Sequence, residues 1–212
     1  MSATRSREMQ RDRLLEAALV HVPFEGWSRR SLSAGARDIG MELGLAWRLF
    51  PRAGDDLLDH LERWADRQML ERVDLEALQA MRTRERIAAL VRARIEVLGP
   101  HREAMRRATA ARLLPGNAIA ACAALWRTVD VIWATVGDRD GGPSYYTKRS
   151  LLAAVWSSTY LYWLEDRSGH FEDTFGFLER RIDNVMQIGG IRARFEDALR
   201  TLGRLNPLGA RR

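Results

Sequence analysis

In a chain where 29% of residues are charged, the stretch from Ser150 to Leu164 carries no charge at all. Its polar groups are uncharged, among them the hydroxyls of Ser150, Ser157, Ser158, Thr159, Tyr160 and Tyr162. A helix that is apolar on every side is buried all round or lines a cavity. Ahead of it, Asn117 to Val136 places Ile119, Cys122, Trp126, Val129, Trp133 and Val136 at steps of three and four, which is one helical face. Between them, Gly137-Asp138-Arg139-Asp140-Gly141-Gly142-Pro143 breaks both helices. The rest of the chain must therefore pack around two helices, Asn117–Val136 and Tyr145–Asp166. They are either a core pair or the wall of a pocket for a large apolar ligand.

The remaining segments also read as helices. Arg7 to Val22 is stopped by Pro23, Ser31 caps Leu32 to Ile39, and Glu42 to Phe50 ends at Pro51. Longer helices follow over Asp55 to Met81, from Thr83 to Leu98, over Glu103 to Leu113, and from Phe171 to Met186. No stretch has the period of a strand, so the expected fold is all-α. Residues 1–51 form a helix-turn-helix-like region, 52–187 a helical domain, and 188–212 a terminal helix and tail.

Catalytic chemistry finds little footing. His21, His60, His101 and His170 are scattered, and none forms the Glu-x-x-His pair of a di-iron bundle or a His-Glu-x-x-His motif. Asp138 and Asp140 lack the glycine and the closing glutamate of a calcium loop. Cys122 is the one cysteine, so an internal disulfide and a zinc site are excluded. No enzyme activity, metal or cofactor is expected. Met1 to Arg13 is polar, without the apolar core of a signal peptide. The uncharged runs fall short of the roughly twenty residues that span a bilayer.

The net charge of +6 resides at the ends. Residues 1–13 hold four arginines against Glu8 and Asp12, and residues 179–212 hold eight against four acids. Gly189-Gly190 marks a hinge and Ile191 to Leu202 follows it; with Ile188 included, Ile188, Ile191, Phe195, Ala198, Leu199 and Leu202 form a narrow apolar stripe flanked by Arg192, Arg194 and Arg200. That pattern fits a helix lying in a membrane interface. It also fits a helix docked on its own domain or on a second subunit. The hinge, the terminal position and the local charge favour the membrane, with Ile188, Ile191, Phe195, Leu199, Leu202, Arg192 and Arg194 as the contact residues.

Gly40-Met41-Glu42-Leu43-Gly44-Leu45-Ala46-Trp47-Arg48-Leu49-Phe50-Pro51 resembles the TetR helix-turn-helix motif in its two glycines and its Phe-Pro. Its DNA-facing positions depart from it. Glu42 replaces a hydroxyl, Leu43 a basic residue, Leu45 a threonine and Leu49 a tyrosine, which removes the donors and cations that groove binding needs. The resemblance implies the fold without the DNA activity, and nucleic acid is not an expected partner. A TetR-type repressor with a lipid effector is the alternative.

Longer motifs run through the chain: His21-Val22-Pro23-Phe24-Glu25-Gly26-Trp27, Val129-Asp130-Val131-Ile132-Trp133, Gly137-Asp138, Tyr146-Thr147-Lys148-Arg149, Phe171-Glu172-Asp173-Thr174 and Phe177-Leu178-Glu179. With them the chain resembles the coenzyme-Q biosynthesis protein nine family, lipid-binding proteins of ubiquinone biosynthesis. The resemblance implies a TetR-like homodimer that binds an isoprenoid lipid or quinone intermediate. It also implies a membrane-binding last helix and a di-iron partner, demethoxyubiquinone hydroxylase. Trp126, Val129, Trp133, Leu152, Val155, Trp156 and Tyr160 are the residues expected to line the lipid cavity. The partner surface implied is Tyr145, Tyr146, Lys148 and Arg149, with Tyr145 standing where the family commonly has tryptophan. Asp130 is expected to pair with Arg149 or Lys148. The expected location is cytoplasmic, peripheral on a bacterial inner membrane, or on the matrix side of the mitochondrial inner membrane if the source is eukaryotic.

Overall fold

The computed structural model describes residues 2–112, 115–138, 142–185 and 187. Every regular element among them is helical. α1 (Ser2–Glu25), α2 (Arg29–Asp38) and α3 (Leu43–Leu49) form the N-terminal unit. α4 (Gly54–Arg72), α5 (Leu75–Ala80), α6 (Thr83–Leu98), α7 (Arg102–Arg112), α8 (Ala118–Val136) and α9 (Pro143–Glu165) build the bundle. A last helix, α10, covers residues 172–185.

Several boundaries differ from those read in the sequence. Pro23 does not stop α1; it forgoes one backbone bond near the end, and Gly26 at φ 68° closes the helix after Glu25. Ser28, not Ser31, caps α2. Its hydroxyl accepts from the Arg30 and Ser31 amides at 3.1 and 3.4 Å, while the Ser31 hydroxyl accepts from the Ser28 amide at 3.3 Å. Ser31 is thus the far half of a capping box. The expected helix from Asp55 to Met81 is two, because Val73 turns extended and Asp74 caps α5 with bonds to the Glu76 and Ala77 amides.

α2 crosses α1 backbone to backbone: a Cβ on Gly35 would lie 2.5 Å from the Ala18 amide nitrogen. Gly54 is held as closely, since a Cβ there would sit 2.0 Å from the Trp27 carbonyl oxygen. Trp27 in turn donates its indole N–H to the Ala104 carbonyl at 3.0 Å, which ties the N-terminal unit to α7. The core is continuous, from Leu14, Leu15 and Leu32 through Leu57, Leu61 and Met69 to Leu90, Ile95, Val129, Ile132 and Trp163.

α8 is less covered than its apolar face suggested. Ala124, Thr128, Val129, Ile132, Trp133 and Val136 are buried, whereas Ile119 is 85% exposed and Cys122 is exposed. In the N-terminal half of α8, Ala121 and Leu125 line a cavity with α4 and α7 and Ala124 is buried, while the side carrying Ile119 and Cys122 is left uncovered by the described residues. With a mean hydropathy of 1.4, α8 is also apolar enough to cross a membrane by length and composition, which the run lengths had argued against. Arg127 and Asp130 interrupt the uncharged run without lowering the mean enough. In this fold 33% of that stretch is buried.

Candidate functional site

The α8–α9 pair organises the candidate site. α8 ends in a Schellman closure, with Gly137 at φ 91°, its amide bonded to the Ala134 carbonyl and the Asp138 amide to the Trp133 carbonyl, both at 3.1 Å. This aims Asp138 back at the start of α9. Arg149 is 4% exposed and donates from Nε to Asp130 at 2.7 Å and from Nη1 to Asp138 at 3.3 Å. Its guanidinium lies 3.4 Å from the Tyr145 ring centroid, and the Tyr145 hydroxyl donates to Asp130 at 3.1 Å. Lys148 reaches Asp138 at 2.8 Å and lies over Trp133, whose indole N–H meets the Lys148 carbonyl at 3.2 Å. Asp130 therefore pairs with Arg149, as expected.

The four residues assigned to a partner surface thus differ in exposure. Tyr146 is 63% exposed, Tyr145 and Lys148 are half-buried, and Arg149 is interior. Tyr146 packs against Tyr145 and, from the other side, against Trp126, with ring centroids 5.1 and 6.2 Å apart. Arg149 holds the aromatic platform from beneath and does not itself reach the surface.

The expected cavity residues do not converge on one space. Val129 is fully buried in the core, and Trp126 is half-buried beside Tyr146. Trp133, Leu152 and Val155 line an apolar cavity of about 500 Å3 with Ile87 of α6 and Ile182 and Val185 of α10. Arg84 and Lys148 stand at its edge, and Arg84 pairs with Asp183 at 3.0 Å. Trp156 and Tyr160 lie round α9 on another side, lining a smaller, more polar cavity of about 220 Å3. α9 separates the two spaces. Sequence periodicity had no means of placing Ile87, Ile182 and Val185 in the first cavity, since they come from helices far apart in the chain.

The smaller cavity rests on an ionic network that individual helices did not reveal. Glu62 of α4 accepts from Arg112 at 2.6 Å and from Arg94, which is fully buried. Arg94 Nη1 also lies 3.0 Å from Asp66, close enough to pair without a linear hydrogen bond. Thr128 donates to Asp66 at 3.0 Å. Burial pushes the Asp66 carboxyl above its usual range, and Arg94 pulls the other way. Opposite, the Tyr160 hydroxyl meets Thr109 at 3.0 Å and the Met105 carbonyl at 3.2 Å. Burial raises the Tyr160 phenol to about 12.

Elsewhere, Glu8, Asp12 and His60 bring ligand-type atoms within 4.8 Å of one another. Arg67 already bridges the two carboxylates at 3.0 and 2.6 Å, so the cluster is an ion-pair lock between α1 and α4. On α3, Leu43 and Leu45 pack against the core and Leu49 is buried, while Glu42 is exposed at the helix start. The stripe from Ile188 to Leu202, with Arg192 and Arg194, lies outside the described residues.

A helix-turn-helix-like unit leading into a helical bundle defines a class, the TetR-like all-α fold. The crystal structure of the TetR transcriptional regulator from Nitrosomonas europaea ATCC 19718 superposes with a TM-score of 0.69, at 21% identity, over 84% of this chain and 98% of that one. A family model described as COQ9 matches residues 118–189, which spans the α8–α9 pair and α10. Among proteins named "Ubiquinone biosynthesis protein COQ9, mitochondrial", the human one is 31% identical over 191 residues, covering 87% of this chain. The Xenopus tropicalis one is 34% identical over the same share. The chain is similar to these COQ9 proteins over most of its own length. It spans 60% of the length of both of these relatives.

Proposed function

We propose that this protein is a non-catalytic accessory factor of ubiquinone biosynthesis that binds an isoprenoid lipid or quinone intermediate and presents it to a di-iron hydroxylase. The observation that carries the reading is the apolar cavity of about 500 Å3 bounded by α6, α8, α9 and α10. Each CH2 moved into such a space contributes about 0.8 kcal/mol, so a branched hydrocarbon tail gains several kcal/mol there. The relatives' names supply the pathway.

The exposed Tyr146 beside Tyr145, braced by Arg149, supports a protein-binding platform. The uncovered apolar start of α8 supports a homodimer. The stripe beyond residue 187 supports attachment to a membrane surface, on a bacterial inner membrane or on the matrix side of a mitochondrial one. The repressor alternative is disfavoured by Leu43 and Leu45, which spend their side chains on the core. Purified protein analysed by native mass spectrometry with lipid extraction tests the central reading. Co-purifying lipid is expected, and Val155→Glu, which places a carboxylate in the cavity, reduces it. Lipid-free protein, or unchanged lipid in the variant, overturns the reading.

A further inference from the structure

α1 is apolar on two sides. Leu14, Leu15, Ala18, Leu19 and Val22 are buried in the core. On the outward side Met9, Val20 and Phe24 are 66%, 64% and 84% exposed. Arg5 and Arg13 stand exposed on the same line, so Arg5, Met9, Arg13, Val20 and Phe24 form one stripe of the helix. From Met9 to Phe24 that stripe runs about 22 Å along the surface. One exposed apolar side chain is ordinary, but three on a single line of one helix are a feature of the surface.

The charge beside the stripe is positive. His21 and Glu25, neighbours of Phe24 on α1, meet Arg29, Arg30 and Arg37 of α2 in the walls of a groove of about 450 Å3. Asp38 is taken by His21 at 2.6 Å. Glu25 lies 3.9 Å from Arg30, whose side chain reaches far into solvent, and Arg37 has no ion pair among the described residues. Arg29 sits 5.2 Å over the ring of Trp47, which is itself exposed. The groove thus presents three guanidinium groups against one available carboxylate.

An occupant has to suit both the apolar stripe and this charge. Duplex DNA would engage the arginines through its phosphates and leave Val20 and Phe24 in water. A protein partner needs a contiguous apolar centre, and Arg13 and Glu16 interrupt this one. A lipid surface has no such requirement. Separated apolar side chains enter the acyl boundary singly, while the arginines beside them extend to phosphates. We infer that the outward face of α1, with the adjoining arginines of α2, is a contact surface for anionic phospholipid, in addition to the stripe beyond residue 187. The inference rests on the proposed attachment to a membrane and adds a second point of contact, which sets how the helix-turn-helix-like unit lies on the lipid. Two contacts carried by one chain reinforce each other.

The test uses the full chain with Cys122→Ser, so that Val20→Cys accepts a single environment-sensitive fluorophore. With vesicles of phosphatidylcholine and phosphatidylglycerol, the emission is expected to shift to the blue and to be quenched by spin-labelled lipid. Val20→Ser with Phe24→Ser, both at exposed positions that the fold does not need, should lower vesicle partitioning at least about tenfold. Arg30→Glu with Arg37→Glu should lower it by roughly as much at low salt and by less at high salt. Equal partitioning of the serine variant, or equal binding of the wild-type chain to vesicles of phosphatidylcholine alone, overturns the inference. So does a probe that responds to duplex DNA or an oligoglutamate peptide and not to vesicles. Wild-type protein that fails to float overturns this contact and the proposed membrane attachment together. Protein that floats while its Val20 probe stays in water overturns the α1 contact alone, so the two failures are distinguishable.

Discussion

Replacing Arg94 by leucine tests the network at its centre. The guanidinium is fully buried, pairs with Glu62, lies 3.0 Å from Asp66 and sits 5.1 Å over the Trp156 ring. Removing one partner of a buried pair costs about 3–5 kcal/mol, because the other charge stays buried without compensation. Here Glu62 keeps Arg112 and Asp66 keeps Thr128. The loss should therefore fall near the lower end, about 3 kcal/mol. For a chain of this size that lowers Tm by roughly 6–12 °C. Urea unfolding followed by far-UV circular dichroism measures it. The pH dependence gives a second reading. Without Arg94 the Asp66 carboxyl rises further, and a group whose folded pKa is raised adds stability as pH falls. The deficit of the variant should thus shrink between neutral pH and about pH 5. Asp66→Asn in the Arg94→Leu background should likewise recover about 1 kcal/mol or more. A loss under about 1 kcal/mol, or a deficit independent of pH, refutes the reasoning.

Three further outcomes are expected. Burial, reinforced by Arg11, holds the His60 imidazole below its usual 6.5. The unfolded chain therefore takes up that proton first, and the stability from neutral His60 is intact above about pH 6.5 and lost as pH falls below it. His60→Gln should flatten the decline in Tm on acidification, measured by differential scanning fluorimetry. Alanine at both Tyr145 and Tyr146 should abolish pull-down of the di-iron hydroxylase while co-purifying lipid is unchanged; retained pull-down would remove this surface from consideration. Phe195→Glu should reduce flotation with anionic liposomes, and high salt should weaken wild-type flotation only in part, since apolar burial is not screened.

What could be read from the chain before its fold was of one kind. The uncharged run from Ser150 to Leu164 located α9, and three-and-four spacing located α8, because these signals lie within a single helix. Periodicity reports which residues share a face and is silent on whether anything covers it. Ile119 and Cys122 share the face of Val129 and Trp133, yet no described residue covers them. The Ser28 cap escaped because Ser31, three residues on, is its reciprocal partner and carries the same signature. Glu62 and Arg94 are 32 residues apart, and Glu62 and Arg112 are 50. On its own helix each looks like one more solvated charge, and the network exists only once the helices are packed.

α4 has a consequence for how the molecule melts. One side of this 19-residue helix meets α1 through His60 and Arg67, which engage Asp12 and Glu8, and the other carries Glu62 and Asp66 into the bundle. Leu57 and Leu61 belong to a core that continues without a break on both sides. The N-terminal unit cannot come apart without stripping partners from α4, and α4 cannot fray without opening the bundle. Calorimetry should therefore register one cooperative transition, with equal calorimetric and van't Hoff enthalpies, despite a helix-turn-helix-like unit that in outline looks separable.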